Sequence, residues 1–159
     1  MNALANPEVG KYLNEYFVSS YQKVATFKIV GKQKQGGNVA SYFCTADGKV
    51  LHIVAGPVDA ATLLREARWA IETYKMAALN PRAGLKEFMG KAHARRLWDN
   101  YKYDIRPGAR WHHRPELDKQ GLVHRLLALG PLPRVGEVYE YVFEKILREK
   151  ISLAPVEES

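Results

Sequence analysis

Cys44 is the only cysteine in the chain, so it is the only thiol that could serve as a nucleophile or a redox group. A disulfide, a CxxC redox pair and a multi-cysteine zinc site each need a second cysteine, and the sequence excludes all three within the chain. Cys44 follows Phe43 in a β-rich run, the pattern of a small apolar side chain packed in a sheet. We interpret Cys44 as a packed residue, with a reactive free thiol as the alternative.

The five histidines are the other candidate ligands for a metal. His112 and His113 are adjacent, but neighbouring side chains diverge, and His52, His93 and His124 stand at no chelating spacing from them. We therefore predict no metal and no other cofactor. The histidines are interpreted as surface residues or as residues that pack between helices.

The sequence contains no clear pattern for acid–base catalysis or for phosphate binding. Glu66, Glu72, Asp99 and Asp104 are not spaced as a catalytic pair, and helix faces in water normally carry such residues. The stretch GKQKQGGN at residues 31–38 lacks the glycine spacing and the Lys-Ser/Thr ending of a phosphate loop. We assign no catalytic residue and expect no enzyme activity from this chain alone.

One stretch combines positive charge with aromatic rings. Residues 82–114 hold nine Lys or Arg against three Asp or Glu, in a chain whose net charge is +7. Cations bind phosphates and aromatic rings stack on bases, so single-stranded nucleic acid is one candidate partner. Arg and aromatic residues are also enriched in protein interfaces, and we favour a protein partner because no known nucleic-acid module is present. The predicted interaction surface comprises Arg95, Arg96, Trp98, Tyr101, Tyr103, Arg106, Arg110 and Trp111.

A purely structural role competes with both interpretations of this stretch. The aromatic rings would then anchor the C-terminal part of the chain, and the arginines would face water or pair with carboxylates such as Glu137 and Glu144.

The elements that position these residues follow from turn residues and hydrophobic periodicity. Asn6-Pro7-Glu8 is typical of a helix start and predicts a helix at about residues 7–14. Aromatic and β-branched residues predict one strand or two within residues 16–30, followed by a solvated loop at residues 31–38. The runs VASYFC and VLHIVAG, joined by a turn that contains Asp47-Gly48, predict a β-hairpin.

Helices are predicted for most of the remaining chain. After Gly56-Pro57 the apolar residues fall on one helical stripe, which ends before Asn80-Pro81. We place a boundary there, between a module of residues 1–80 and a mainly helical C-terminal extension of residues 81–159 packed on it. The extension is predicted to hold helices at residues 85–98, 116–129 and 135–151. No membrane span and no secretory leader are recognised, so a cytoplasmic location is expected.

The order helix, strand, polar loop, hairpin and amphipathic helix resembles the thioredoxin fold entered partway through. NPEVGKYLNEYFV is similar to the end of the first helix and the following strand of thioredoxin-like proteins. NVASYFCTADGKVLHIVAGPVDAATLLREA is similar to their terminal hairpin and last helix, so the resemblance covers about residues 3–76. It implies an α/β (α+β) fold, with an incomplete thioredoxin-like sheet, packed helices and the helical C-terminal extension.

The resemblance also implies what this chain lacks. In that family a central strand and a CxxC motif precede the first helix, and a cis-proline precedes the hairpin, where this chain has Gly37-Asn38-Val39. We therefore expect a redox-inactive thioredoxin-like protein that acts by contact with another protein. One alternative is the C-terminal portion of a thiol or selenol oxidoreductase whose active motif lies upstream of Met1, and a second is a basic protein that binds single-stranded nucleic acid.

The missing strand would have to be compensated, because unpaired strand edges are unfavourable. Residues 16–30 could pair with the hairpin or form a hairpin of their own. A strand from another chain would serve equally and would produce a homo-oligomer.

Overall fold

The computed structural model describes residues 3–20, 28–30, 33–35, 39–80, 82–107, 115–149, 151 and 157–158, and among these it is a mixed α and β structure. The helices are α1 (Pro7–Tyr16), α2 (Ala60–Ala78), α3 (Leu85–Tyr101), α4 (Lys119–Leu129) and α5 (Val135–Tyr141). A 3-10 turn (Ala3–Ala5) precedes α1, and a π-helical turn (Val142–Ile146) continues α5. The strands are β1 (Lys28–Val30), β2 (Gln33–Gln35), β3 (Ala40–Cys44), β4 (Val50–Ala55) and β5 (Glu157–Glu158). The predicted fold class is confirmed.

Side-chain caps set where three of the helices begin. The Asn6 Oδ1 atom accepts hydrogen bonds from the amides of Glu8 and Val9, and Pro7 occupies the first turn of α1. Asp59 caps α2 by accepting from the Thr62 amide at 2.7 Å. These bonds satisfy amides that have no partner within the helix, which is why the local sequence predicts the start of α1 correctly.

The hairpin of β3 and β4 is confirmed. The two strands are antiparallel, with Tyr42 opposite Ile53 and Phe43 opposite His52. Gly48 in the connecting turn has a φ of 85°, a conformation that glycine adopts without strain. A second sheet has the strand order β2-β1-β5, with β1 antiparallel to β2 and parallel to β5.

Strand β4 is buried along its whole length between two apolar clusters. Val50, Ile53 and Ala55 pack with residues of α4, α5 and the π-helical turn. Phe43 and Val54 pack with α1 and α2 on the other side. Helix α3 contacts both α2 and α4, which brings it beside the same strand.

The outward edge of β4 is bonded by side chains in place of a further strand. The Gln120 side chain donates to the carbonyl of Ile53 at 2.8 Å and accepts from the amide of Ala55 at 3.4 Å. The Leu51 carbonyl is bonded by a histidine of α3. Helices α3 and α4 therefore satisfy backbone groups that would otherwise be buried without partners.

Several predicted boundaries differ from the observed ones. α4 begins at Lys119 instead of residue 116, because Asp118 caps it by accepting from the Gly121 amide at 2.8 Å. The last predicted helix ends at Ile146, because Leu147 donates to the Val142 carbonyl and closes the π-helical turn.

The predicted strand and loop of residues 16–38 agree with the structure only in part. α1 extends to Tyr16, and β1 (Lys28–Val30) lies within the predicted strand segment. β2 (Gln33–Gln35) lies within the predicted loop, because antiparallel pairing with β1 needs no apolar side chains. Residues 21–27, 31–32 and 36–38 lie outside the described residues.

Two further findings bear on the predicted organisation. In the described strands, β1 pairs with β2 and β5 while β3 pairs with β4, so the described part of residues 16–30 is not paired with the hairpin. None of the described helices combines the length and the apolar character that crossing a bilayer requires.

Candidate metal centre

Three histidines from three different elements meet in the protein interior. His52 lies in the middle of β4, His93 in α3 and His124 in α4, and each is at most 1% exposed. One ring nitrogen from each lies within 4.8 Å of the other two. They meet because β4 is covered by α3 and α4, and each histidine occupies a buried position of its element. We call these residues the histidine cluster.

His93 and His124 are joined directly. Their Nδ1 atoms are 2.9 Å apart, and the His93 Nε2 atom is 2.8 Å from the carbonyl oxygen of Leu51. A carbonyl can only accept, so the proton of neutral His93 lies on Nε2 and its Nδ1 is an acceptor. His124 must then donate from its own Nδ1. The Leu51 carbonyl thus fixes the tautomer of both rings.

His52 has one ring nitrogen bonded and one without a partner. Its Nε2 atom donates to Glu66 Oε2 at 3.2 Å. Its Nδ1 atom is fully buried and has no hydrogen-bond partner among the described residues. A buried acceptor without a partner costs about 1–3 kcal/mol. The Nδ1 lone pair of His52 is therefore free to bind a ligand inside the cluster.

Glu66 and Arg96 form an ion pair next to His52, in which Glu66 is buried and Arg96 is partly buried. Arg96 Nη1 donates to Glu66 Oε2 at 2.5 Å, the same oxygen that accepts from His52. The Arg96 guanidinium also lies over the Trp69 ring, 4.5 Å from its centroid. Trp69 contacts His52 and His93 through edge-to-face ring pairs with centroids 4.8 and 5.0 Å apart. These contacts hold the rings of the cluster in place.

Burial sets the charge of the histidine cluster. Desolvation lowers the pKa of His93 to about 3 and lowers the pKa of His124 further. Burial also lowers the pKa of His52, although Glu66 opposes the shift. Burial alone would raise the pKa of Glu66, but hydrogen bonds from His52 and Arg96 bring it down to about 2. At neutral pH the cluster holds three neutral imidazoles beside a carboxylate–guanidinium pair.

This geometry fits a transition metal of the zinc class. Zinc binds neutral imidazole with Zn–N distances near 2.0–2.1 Å, which places tetrahedral ligand nitrogens about 3.3 Å apart. The three donor atoms already lie within 4.8 Å of one another, so small side-chain rotations would bring them to that spacing. Metal-binding histidines usually donate their other N–H to a carboxylate or a backbone carbonyl. Glu66 provides such a partner for His52, and Leu51 provides one for His93.

A cleft leads to one side of the histidine cluster. It has a volume of about 530 Å³ and is lined by both His124 and Glu66. Arg65 from α2, Tyr101 from α3 and Asp118 from the start of α4 form part of its wall. Tyr101 donates its hydroxyl to Asp118 at 2.6 Å.

The predicted interaction surface does not form one continuous face among the described residues. Arg95 and Trp98 are exposed on α3, and Arg106 is exposed beside Asp104. Arg96, in contrast, is turned inward to Glu66, and Tyr103 is buried. Arg96 therefore points away from the exposed side of α3 that carries Arg95, because neighbouring helix positions point about 100° apart. Tyr101 is half-buried at the cleft, and Arg110 and Trp111 lie outside the described residues.

Cys44 is half-buried in the hairpin. Burial raises the pKa of its thiol, which disfavours the reactive thiolate. The structure therefore agrees with the interpretation of Cys44 as a packed residue.

Chain spacing missed the histidine cluster because its members belong to different elements. Of the two interpretations given for the histidines, surface residues or residues that pack between helices, the second fits His93 and His124, which are buried between α3 and α4, whereas His52 is buried in β4. His112 and His113 lie outside the described residues. A signal was present in the run VLHIVAG, where a polar ring stands in the centre of an otherwise apolar strand.

No family model, no curated protein and no solved structure matches this chain.

Proposed function

We propose that this protein binds one divalent transition metal ion of the zinc class through His52, His93 and His124. The observation that carries the proposal is the group of three buried histidines, each of which has a ring nitrogen within 4.8 Å of the other two. The buried His52 Nδ1 atom adds a lone pair that has no partner among the described residues. A metal ion would accept its lone pair, which nothing else among the described residues does.

The donor set decides which class of metal is expected. Three neutral nitrogen donors suit zinc, copper, nickel or iron, whereas magnesium and calcium require oxygen ligands. Zinc has no redox chemistry, which is compatible with a chain that holds a single thiol.

The surrounding hydrogen bonds favour binding over simple packing. In the metal-free cluster His93 accepts from His124, and this bond would be exchanged for two metal–nitrogen bonds. His52 and His93 would bind through Nδ1 without breaking their bonds to Glu66 and Leu51. The residues that orient these two rings are thus already in place.

Metal titration of the purified protein tests this proposal. After removal of metal with a chelator, we expect Zn²⁺ to bind at one ion per chain in competition with a colorimetric chelator. His52→Leu, which keeps an apolar side chain of similar size in β4, should abolish this binding. The double variant His112→Asn/His113→Asn changes the two histidines outside the cluster and should bind like the parent protein.

Two results would overturn the proposal. One is metal-free protein that takes up no Zn²⁺, Co²⁺ or Ni²⁺ while its circular dichroism spectrum is that of a folded protein. The other is a folded His52→Leu variant that binds zinc as tightly as the parent protein.

A redox-inactive thioredoxin-like module that binds another protein remains a second proposal. The exposed side of α3 favours it, because Trp98 is 51% exposed with the Lys102 ammonium over its ring, and Arg95 lies one turn away. Exposed Trp and Arg side chains are typical of interface centres. Insulin reduction by the purified chain should be blank, and reproducible turnover would reject this reading.

A further inference from the structure

We infer that the metal keeps one coordination position open toward the cleft and that this position binds small carboxylate anions. The inference rests on the proposed function, since it concerns a ligand of the same metal. It assigns a small carboxylate to the metal site as a ligand, and it makes the cleft the place where this ligand binds.

The number of protein donors leaves one position of a tetrahedral ion unfilled. Among the described residues, no further His, Cys, Asp or Glu atom joins the three histidine nitrogens in their group. The nearest carboxylate oxygen, Glu66 Oε2, is already bonded to His52 and Arg96. Structural zinc sites close with four protein ligands, whereas sites that act on other molecules keep three and leave the fourth position to solvent or substrate.

Solvent would reach that position from the cleft. His124, one of the three ligands, lines the cleft, so a metal held by His124 lies directly behind the cleft wall. The other two histidines do not line it and are enclosed by β4, α3 and Trp69. A volume of about 530 Å³ is in the range of pockets that hold small organic molecules.

The charges of the cleft select an anion. Of its two carboxylates, Glu66 is paired with Arg96, whereas Asp118 accepts from the neutral Tyr101 hydroxyl and Gly121 amide and keeps its negative charge. Arg65 and Lys119 also line the cleft, and neither belongs to an ion pair found among the described residues, although Arg65 interacts electrostatically with Asp59. Two such cations beside a dication with three neutral ligands produce a positive potential, which attracts anions.

A small carboxylate matches this arrangement better than a neutral ligand. Its oxygen can occupy the open metal position, and its charge is balanced by the metal and the cleft cations.

Cobalt substitution tests the inference directly. The Co²⁺-loaded protein has visible absorption bands whose positions and intensities report the ligands of the ion. We expect acetate and thiocyanate each to shift these bands saturably at constant ionic strength. The double variant Arg65→Gln/Lys119→Gln should bind Co²⁺ normally but bind both anions more weakly, by between about twofold and 25-fold, because each cation contributes a partly screened interaction. Arg95→Gln, an exposed substitution on the far side of α3, should leave anion binding unchanged.

The possible failures are distinguishable. Co²⁺ that binds with bands unmoved by either anion would overturn this inference and leave the proposed metal binding intact. Anion affinity that is the same in the Arg65→Gln/Lys119→Gln variant as in the parent protein would overturn the assignment of the cleft. Absence of Co²⁺ bands in a folded protein that also takes up neither Zn²⁺ nor Ni²⁺ would overturn both proposals.

Discussion

Replacing Glu66 by Gln removes the carboxylate that accepts hydrogen bonds from both His52 and Arg96. Glu66 is 6% exposed, and its Oε2 atom accepts from both Arg96 and His52. Breaking a buried pair by removing one partner costs about 3–5 kcal/mol, because the remaining charge stays buried. Gln keeps a neutral acceptor, so the lower end of that range is expected.

The pKa of Glu66 leads to a similar magnitude. Its carboxyl has an ordinary pKa of 4.5, which the bonds from His52 and Arg96 lower to about 2. At about 1.4 kcal/mol per pKa unit, the ionised carboxylate contributes about 3 kcal/mol to stability. Because the folded pKa is the lower one, this contribution is complete above pH 4.5 and is lost as the pH falls toward 2. At pH 7.5 the variant should therefore show the full loss.

Urea unfolding of the metal-free protein at pH 7.5 measures this effect. Glu66→Gln should reduce the free energy of unfolding by about 3 kcal/mol. It should also weaken Zn²⁺ binding by about 10- to 100-fold, because His52 loses the partner that orients it. Glu72→Gln lies on the same helix at an exposed position and should change stability by less than about 0.5 kcal/mol. A loss below about 1 kcal/mol for Glu66→Gln would refute the reasoning that the pair is buried and stabilising.

Three further predictions follow from other parts of the structure. Metal-free protein should lose about 2 kcal/mol from His93 alone between pH 7 and pH 5, because burial lowers its pKa to about 3 and the unfolded chain binds the proton first; thermal melts that do not change with pH would contradict this. Gly121→Ala should destabilise by about 1–3 kcal/mol in urea unfolding, since its Cβ would lie 3.0 Å from the Leu117 side chain, whereas Gly136→Ala meets nothing within 4 Å and should not destabilise. The Cys44 thiol should react with iodoacetamide more slowly in the folded protein than in urea, because burial raises its pKa, and equal rates would refute this.

The elements that the sequence predicts correctly carry their signals locally. The turn at Asp47-Gly48 and the cap at Asn6 each depend on a few adjacent residues, so the hairpin and the start of α1 can be predicted without knowledge of the fold. β2 could not be found in this way, because its three residues are polar and are held by backbone pairing with β1. The π-helical turn after Tyr141 depends on packing of α5 against β4, which no local pattern reports.

The histidine cluster could not be predicted from local sequence patterns either. His93 and His124 are 31 residues apart and belong to different helices, so spacing rules for ligands on one element cannot connect them. Arg96 follows the exposed Arg95 but lies one helical turn after His93, on the buried face. Helical periodicity around His93 would have assigned Arg96 to the interior. Only the packing of α3 against α2 reveals that its partner is Glu66.

The histidine cluster also changes how the two predicted parts of the chain relate to each other. His52 and Glu66 belong to residues 1–80, whereas His93, Arg96 and His124 belong to residues 81–159. The contacts of His93 with the Leu51 carbonyl, of Arg96 with Glu66 and of the His124 ring with the His52 ring therefore cross the predicted boundary. Buried polar groups are unfavourable unless they are satisfied, and here neither part can satisfy its own without the other. A metal bound by all three histidines would join β4 to α3 and α4 at this point, so the C-terminal helices are best understood as half of the site and not as an appendage to it.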